Sequence, residues 1–273
     1  MDIALLLKTI VMGIVEGLTE FLPISSTGHL ILAGSLLNFP ERIRATFEIF
    51  IQLGAILAVV VFFWRDLLPL VQRALKGDAA ARRLMIAVAI AFVPAAVVGV
   101  LASSAIKKIL FGALPVSLAM IIGGVIMLAV ENAIAKRQPS ETGVENVSYK
   151  SALGVGVAQI AALWPGMSRS ASTLVGGLLM GLDRATALRF SFYLAIPTLL
   201  IATIYDFVKS IKDIQGGDLP VFALGAAVAF AAALVVVKWF LGWVSHHDLK
   251  PFAWYRIVVG TVILVLVILG VGL

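Results

Sequence analysis

The side chains able to do chemistry are concentrated in one short polar stretch, residues 16–29, within a strongly apolar sequence. Glu16 and Glu20 are four residues apart, so a helix places both carboxylates on one face. Pro23 then ends that helix, because proline lacks an N–H donor and clashes with the preceding turn. Residues able to cap a second helix follow, and His29 lies a short way into it. The pattern predicts a broken helix with a reactive break, whose hydroxyl groups belong to Ser25, Ser26 and Thr27.

A second break of the same kind is predicted at residues 164–173, where Pro165 and Gly166 interrupt an apolar helix. Arg169 contributes a permanent positive charge, and its forked donors suit phosphate oxygens. Backbone N–H groups at the start of the next helix also favour an anion. An arginine inside an apolar span costs roughly 2.5–3.5 kcal/mol, so we expect Arg169 to have an anionic partner. The hydroxyl groups at this break belong to Ser168, Ser170 and Thr173.

The two breaks supply complementary charges for a single ligand. Two carboxylates in a low dielectric need a proton or a cation between them. Divalent Mg²⁺ takes oxygen ligands, often one or two carboxylates together with phosphate and water. We therefore expect Glu16 and Glu20 to hold a divalent cation, Mg²⁺ or Ca²⁺, while Arg169 binds the other side of a diphosphate.

The residue pattern leaves the nucleophile open. Ser26 is the best-placed hydroxyl for attack on phosphorus, and water activated by His29 or a glutamate is the alternative. Each group also has a purely structural interpretation, with Ser26 as a helix cap, His29 as an interior histidine and Arg169 as an interfacial residue. Glu48 and Gln52 share a helix face, so they either line the same cavity or bond between helices.

Composition places these breaks in a membrane protein. Of 273 residues, 61% are hydrophobic and 13% are charged, and the mean hydropathy is +1.08; these values are typical of the membrane class. The absence of cysteine excludes disulfides and thiolate metal sites. The net charge of +6 is assigned to basic loop residues, which membrane proteins commonly carry, and not to nucleic-acid binding.

We therefore predict an all-α polytopic membrane protein, with residues 1–273 as one membrane domain. Apolar runs and Pro or Gly breakers predict helices at about 3–22, 26–38, 42–65, 84–105, 114–136, 150–164, 169–181, 185–209, 219–243 and 253–272.

An internal repeat organises these helices. The segment 13–16 resembles 156–159, which lies 143 positions on (156 minus 13), and 21–27 resembles 163–169 at nearly the same distance. We predict two repeats, residues 1–138 and 146–273, each with a re-entrant helix pair and three transmembrane helices. Three crossings invert the second repeat relative to the first. The breaks should then face each other, because irregular backbone inside a bilayer must be buried in protein or line a wet cavity.

Basic loop residues give the predicted orientation. The richer side, placed in the cytoplasm, carries Arg65, Arg73, Lys76, Arg82, Arg83, Lys136, Arg137, Lys150, Arg184 and Lys250. The other side carries Lys8, Arg42, Arg44, Lys107, Lys108, Lys209 and Lys212. Both termini are then expected outside the cytoplasm.

The two motifs together resemble the signature motifs of the bacitracin-resistance type of undecaprenyl-diphosphate phosphatase, and the resemblance covers the whole chain. The first motif reads Glu16-x-x-x-Glu20-x-x-Pro23-x-Ser25-Ser26-Thr27-Gly28-His29, and the second reads Pro165-Gly166-x-Ser168-Arg169-Ser170-x-x-Thr173. Ala171 departs from the family pattern, in which glycine is expected after Ser-Arg-Ser, but this change removes no functional group.

The resemblance implies a reaction and a set of roles. It implies hydrolysis of undecaprenyl diphosphate to undecaprenyl phosphate, which recycles the lipid carrier for peptidoglycan synthesis and confers bacitracin resistance. It also implies an interlocked inverted repeat in the bacterial inner membrane, a divalent cation and an active site on the periplasmic side. Glu16 and Glu20 match metal-site residues, Glu20 is also catalytic, Ser26 matches a nucleophile and His29 an acid or base. The implied substrate-binding residues are Arg169, Ser168, Ser170, Thr173, Gly166, Ser25 and Thr27.

The expected partners are a polyprenyl diphosphate and membrane lipids, with a homodimer as one arrangement and no nucleic acid. A lipid-phosphate transporter or flippase is the alternative function, because inverted repeats with broken helices are also typical of transporters. Phosphate release in detergent, where no gradient exists, favours the enzyme. Gradient-driven accumulation in sealed vesicles without hydrolysis favours transport.

Overall fold

Helices form nearly all the regular structure in the computed structural model, which describes residues 2–210 and 214–273. Lys212, one of the residues used to predict orientation, lies outside the described residues. The α-helices are α1 (Ile3–Thr19), α2 (Ser26–Leu36), α3 (Glu41–Phe62), α4 (Trp64–Leu75), α5 (Ala79–Leu110), α6 (Ala113–Ile134), α7 (Tyr149–Gln159), α8 (Arg169–Leu179), α9 (Arg184–Ser210), α10 (Leu219–Val244) and α11 (Lys250–Ile268).

Six of these helices, α3, α5, α6, α9, α10 and α11, are long and apolar enough to cross a membrane. This finding confirms the prediction of an all-helical multi-pass membrane protein. Helix α5 is longer than the predicted 84–105, because its polar ends continue the helix beyond the apolar run. The Asp78 side chain caps its start by accepting a hydrogen bond of 2.8 Å from the Ala81 N–H, which satisfies one otherwise unpaired donor.

Helix α4 is absent from the predicted set. The sequence prediction extended the preceding span to about residue 65, but α3 ends at Phe62 and a separate helix of 12 residues begins at Trp64. Charged residues alternate with apolar ones along α4, so a search for long apolar runs does not detect it. Its strongly amphipathic sequence is typical of a helix that lies along a surface.

The two short helix pairs are hairpins whose outer ends lie close together. The Lys8 side chain near the start of α1 donates to the Asn38 carbonyl just beyond α2, at 2.9 Å. At the second pair, Glu141 accepts a hydrogen bond of 2.9 Å from the Ser148 N–H beside α7. The Glu141 N–H also donates to the Gly181 carbonyl just beyond α8 at 3.2 Å. Each pair therefore begins and ends at one level.

Each hairpin contains a break in which one serine has the same unusual backbone conformation. Helix α1 ends at Thr19 and α2 begins after Ser25, whereas α7 passes into a 3₁₀ turn, Ile160–Leu163, before α8 begins after Ser168. Ser25 and Ser168 have φ values of +73° and +68°, a region that costs non-glycine residues about 1–3 kcal/mol. These two strained serines lie 143 positions apart in the chain (168 minus 25).

Glycines bring the hairpins close to the spanning helices. In the contact between α1 and α10, a Cβ atom at Gly17 would overlap the Ala229 carbonyl. In the contact between α7 and α5, a Cβ atom at Gly156 would overlap the Ala91 carbonyl. Small residues at such crossings let helix backbones approach within a membrane. Both breaks are thereby held inside the helical bundle.

Candidate active site

The two breaks meet in the interior of the bundle. Ser170, at the second break, donates its hydroxyl proton to the Phe21 carbonyl of the first break at 2.7 Å. Arg169 Nη2 lies 3.7 Å from Glu20 Oε1, and both side chains are less than 10% exposed. The Arg169 guanidinium carbon also lies 5.6 Å from the centre of the Phe21 ring. Residues far apart in the chain thus form one buried site.

Glu20 links the arginine to a hydroxyl group. Its Oε2 atom accepts a hydrogen bond of 2.6 Å from Ser26 Oγ, while Oε1 faces Arg169. Ser26 is partly exposed and Glu20 is buried. A hydroxyl that donates to a carboxylate within hydrogen-bond distance has the geometry of a nucleophile and its base. Glu20 is therefore positioned to accept the Ser26 proton.

Glu16 provides a second buried carboxylate, and one of its oxygen atoms lacks a hydrogen-bond partner among the described residues. It is 1% exposed, and its Oε2 atom has no hydrogen-bond partner among the residues that the structure describes. Glu20 follows one turn later, where its N–H donates to the Glu16 carbonyl at 2.9 Å. A buried carboxylate without a counter-charge is costly, so an uncompensated oxygen at this depth favours a bound cation.

The described residues offer few protein ligands for a metal ion. Within residues 2–210 and 214–273 there is no group of three or more His, Cys, Asp or Glu residues able to hold a metal. A cation would therefore be bound by Glu16 and Glu20, with its remaining ligands from substrate and water. One or two carboxylates with phosphate oxygens and water is the set that Mg²⁺ favours. The residues present fit a divalent cation of this kind.

Arg169 retains unused donors. Its Nη1 atom lies 3.3 Å from the Ser191 carbonyl and 3.4 Å from the Ser191 hydroxyl. Its Nε and Nη2 atoms are buried and have no hydrogen-bond partner within the described part of the chain. Unpaired buried donors on a guanidinium are expensive, and phosphate oxygens accept from such a fork. The arrangement suits an anion between Arg169 and the two carboxylates.

The remaining hydroxyls of the second break mostly hold the backbone in place. Thr173 donates to the Arg169 carbonyl at 2.9 Å and lies 2.6 Å from the Ser191 hydroxyl. Ser168 caps α8 by accepting from the Ala171 N–H at 3.2 Å. Ser170 is fully buried and bonds to the first hairpin, as described above. Direct substrate contact by these hydroxyls stays a prediction.

At the first break, Ser25 is buried and caps α2 by accepting from the Gly28 N–H at 3.4 Å. Thr27 is partly exposed next to Ser26. At the second break, Gly166 has φ of +101° and packs against the Val116 carbonyl, a position where a Cβ atom would clash. Gly166 is therefore required for the close approach of the second break to the backbone of α6.

His29 is fixed in one tautomer by its two partners. Nδ1 lies 2.7 Å from the Ser25 carbonyl, which can only accept, so Nδ1 carries the proton. Nε2 of the neutral ring then accepts from the Tyr255 hydroxyl at 2.9 Å. The two rings are parallel within 5°, with centres 5.5 Å apart. His29 is thus oriented by α11, a helix to which the sequence analysis gave no role.

Arg256 is a buried residue of the candidate site that the sequence analysis missed. It is fully buried, and its Nη2 atom donates to the carbonyls of Gly166 and Met167 at 3.0 and 2.9 Å. Its Nη1 atom lies 3.5 Å from the Pro23 carbonyl. One side chain on α11 therefore contacts both breaks. A charge inside an apolar span is the available signal, since such residues usually have a function.

Glu48 and Gln52, which the sequence placed on one helix face, have different partners. Glu48 pairs with Arg44 at 3.1 Å, and Arg44 also donates to the Leu30 carbonyl of α2 at 2.9 Å. Gln52 accepts from the Thr203 hydroxyl of α9 at 2.9 Å. Gln52 thus bonds between helices, whereas Arg44 and Glu48 connect α3 to the hairpin of the candidate site.

Comparison with known proteins adds an independent observation. The model of the family described as "Bacitracin resistance protein BacA" matches residues 9–262. A protein of Deinococcus radiodurans named "Undecaprenyl-diphosphatase" is 48% identical over 268 residues, which cover 97% of this chain and 96% of the relative. A protein of Variovorax paradoxus with the same name is 49% identical over 267 residues, covering 97% of this chain and 96% of the relative.

Proposed function

The chain belongs to the bacitracin resistance protein BacA family, and on this premise we propose that it hydrolyses undecaprenyl diphosphate to undecaprenyl phosphate and phosphate. This activity recycles the lipid carrier for peptidoglycan synthesis and is consistent with bacitracin resistance. One observation carries the proposal. Ser26, Glu20 and Arg169 form a continuous series, in which a hydroxyl bonds to a carboxylate that pairs with Arg169 at 3.7 Å, and the Nε atom of Arg169 has no hydrogen-bond partner among the described residues.

The geometry supports attack by Ser26. Its proton passes to Glu20 as Oγ attacks the terminal phosphorus, and the bond from that phosphorus to the bridging oxygen breaks. Undecaprenyl phosphate leaves with the bridging oxygen, and Ser26 carries the phosphoryl group. Water then hydrolyses this phosphoserine, Ser26 regains its proton from Glu20, and phosphate is released.

The second hairpin stabilises the negative charge that develops on the phosphoryl group. The free donors of Arg169 bind phosphoryl oxygens as negative charge develops, and the start of α8 adds its partial positive charge. His29 lies one helical turn beyond Ser25, and its Nε2 atom, which accepts from the Tyr255 hydroxyl, is the ring atom that takes up or gives a proton in its proposed role as an acid or base. A divalent cation held by Glu16 and Glu20 would neutralise phosphate charge as a Lewis acid.

The proposal includes two inverted-topology repeats, residues 1–138 and 146–273, and three features support it. Arg73 of α4 pairs with Glu145 at 2.8 Å, so the end of α3 lies near the base of the second hairpin while its start lies near the first. The hairpins therefore enter from opposite sides. Ser25 and Ser168 repeat the same strained conformation. Each first hairpin helix also packs on a spanning helix of the other half, as Gly17 and Gly156 show.

The proposed location is the bacterial inner membrane, with the site opening to the periplasm. The hairpin that carries Glu20 and Ser26 enters from the side opposite α4, and the basic loop residues are fewer on that side. The richer basic side is normally cytoplasmic. The Glu20 hairpin then enters from the periplasm.

The test is phosphate release from undecaprenyl diphosphate by the purified protein in detergent, with and without a chelator. Multiple turnovers that stop on chelation and return with Mg²⁺ or Ca²⁺ are expected. Release that is unaffected by the chelator would remove the cation from the proposal. Absence of release, together with gradient-driven uptake of the lipid into sealed vesicles, would favour a transporter instead.

A further inference from the structure

The second step of the proposed reaction, in which water hydrolyses the phosphorylated Ser26, needs an acceptor for the proton that the water loses. Glu20 is not available when the water attacks, because it already carries the proton that it took from Ser26 in the first step. Glu16 is 1% exposed, and as the proposed ligand of a cation it faces a positive charge that opposes protonation. A further base must therefore lie near Ser26.

His29 is close enough to Ser26 to serve. It lies three residues beyond Ser26 on α2, so the two side chains are neighbours on one helix face, with Cβ atoms about 5–6 Å apart. Its Nδ1 atom carries a proton and donates it to the Ser25 carbonyl at 2.7 Å. The ring can therefore take up another proton only at the lone pair of Nε2. That lone pair accepts a hydrogen bond of 2.9 Å from the Tyr255 hydroxyl, so a proton reaches His29 through Tyr255.

Tyr255 is accessible from outside the bundle at the depth of the two breaks. Its side chain is 45% exposed, whereas Glu20 is 7% exposed. The next residue, Arg256, lies 3.5 Å from the Pro23 carbonyl of the first break. Ionisable side chains at such a depth usually face the bundle interior or a water-filled cavity, and His29 is partly exposed there. The Tyr255 hydroxyl is thus a group that an incoming water molecule can reach.

We infer that Tyr255 transfers the proton of the attacking water to His29 when the phosphorylated Ser26 is hydrolysed. As the water oxygen bonds to phosphorus, the water gives a proton to the Tyr255 oxygen, and the Tyr255 hydroxyl proton moves to His29 Nε2. The bond from phosphorus to Ser26 Oγ breaks, and Oγ takes the proton held by Glu20. The imidazolium then returns its extra proton through Tyr255 to solvent water. The inference rests on the proposed phosphatase activity with Ser26 as its nucleophile.

Replacement of Tyr255 by phenylalanine should slow the second step only. Tyr255→Phe keeps the ring that stacks on His29, with centres 5.5 Å apart, and removes the hydroxyl. General acid–base catalysis typically contributes about 10²–10⁴-fold, so steady-state phosphate release should fall at least ~10²-fold. Release of undecaprenyl phosphate in the first turnover should keep the wild-type rate, because that step uses Ser26, Glu20 and Arg169. A purely structural defect would slow both steps.

The experiment is a rapid-quench assay of the purified full chain in detergent with Mg²⁺ and undecaprenyl diphosphate. Undecaprenyl phosphate and inorganic phosphate are measured separately, and the protein is analysed by mass spectrometry. Tyr255→Phe should give a burst of about one undecaprenyl phosphate per protein and retain a phosphoryl group on Ser26. Tyr149→Phe, the same change at a tyrosine that is 46% exposed at the start of α7, is the matched control and should behave as wild type.

Two results from Tyr255→Phe would overturn the inference. Phosphate release within about threefold of wild type, a difference below ~1 kcal/mol, would leave a phosphoryl oxygen as the acceptor of the proton. Equal slowing of both products without a phosphoserine would indicate a structural role. If this variant does not fold, His29→Gln must retain the phosphoryl group, because Tyr255 acts through His29, and its absence would refute the inference. Failure of the wild-type protein to release phosphate would instead refute the proposed function, and the inference with it.

Discussion

Replacement of Arg256 by methionine tests whether α11 positions the two breaks. Arg256 makes two short hydrogen bonds, of 3.0 and 2.9 Å, to carbonyls of the second break. A hydrogen bond from a charged donor contributes about 1.5–3 kcal/mol, so at least ~3 kcal/mol of local restraint on Gly166 and Met167 is lost. If this restraint holds Arg169 in place, kcat/KM should fall about 10²-fold, since 1.36 kcal/mol corresponds to tenfold in rate.

The assay is steady-state phosphate release, with kcat and KM measured separately, together with thermal unfolding of the same samples. We expect the loss mainly in kcat, because a misplaced arginine stabilises the developing charge poorly. The unfolding temperature should also fall, since the carbonyls of Gly166 and Met167 lose a buried donor, so the kinetics are measured well below the unfolding transition of the variant. Arg256→Lys keeps the charge but has one donor nitrogen, so it cannot contact the Pro23 carbonyl and the carbonyls of the second break from two nitrogens as arginine does, and it should recover only part of the rate.

Thr261→Val is the matched control on the same helix, since Thr261 is exposed and its hydroxyl bonds only to the Ile257 carbonyl of α11. It should have wild-type kinetics. A folded Arg256→Met protein with kcat/KM within threefold of wild type would refute the positioning role. Should that variant fail to fold, wild-type kcat in Arg256→Lys would refute it equally.

Three further predictions concern the nucleophile, the helix packing and the linker. Ser26→Ala should lower phosphate release by at least ~10³-fold, measured with undecaprenyl diphosphate in detergent; a rate within tenfold of wild type would make water the nucleophile. Gly17→Val should destabilise the fold by about 1–3 kcal/mol, because its side chain would meet the Ala229 carbonyl. Gly242→Ala is the control and should not destabilise it, because nothing lies within 4 Å of the added carbon. Equal unfolding temperatures for the two variants would contradict the close contact between Gly17 and Ala229. Burial tends to raise the pKa of Glu141, but hydrogen bonds from the Ser148 N–H and the Ser151 hydroxyl outweigh it and hold the pKa below its ordinary value. This carboxylate therefore stabilises the fold above its unfolded pKa and loses that contribution as pH falls through its folded pKa. Thermal unfolding of Glu141→Gln should accordingly depend less on acid pH than wild type, and parallel acid profiles would disprove the link.

Local chemistry made the two breaks predictable from the sequence. Pro23 and Pro165 each lie just beyond the end of a helix, and Ser25 and Ser168 cap the helices that follow, so both features can be read from local sequence. Long apolar runs likewise identify spanning helices. The two breaks were expected to lie together because charged groups in a low dielectric need a partner of opposite charge. In the structure, Glu20 of the first break lies beside Arg169 of the second.

Features that depend on tertiary contacts could not be predicted in this way. The partners of Arg256 are backbone carbonyls exposed by the breaks, which no side-chain pattern reveals. Tyr255 orients His29 from a helix more than 200 positions away in sequence. Ser170 belongs to a motif that suggests ligand binding, yet its hydroxyl bonds to the Phe21 carbonyl. Helix α4 was missed because it carries one or two charged residues per turn. A search for long apolar runs does not distinguish such an amphipathic helix from a loop.

The central claim is that a carboxylate-bearing hairpin and an arginine-bearing hairpin bind one diphosphate between them. The most direct measurement is the rate of phosphate release from undecaprenyl diphosphate by folded Arg169→Gln protein, compared with wild type at the same lipid and cation concentrations. Loss of a buried, correctly placed donor of this kind typically costs 10²–10³-fold in kcat, and the account predicts a loss of at least roughly that size. A folded variant that releases phosphate within threefold of the wild-type rate would contradict it.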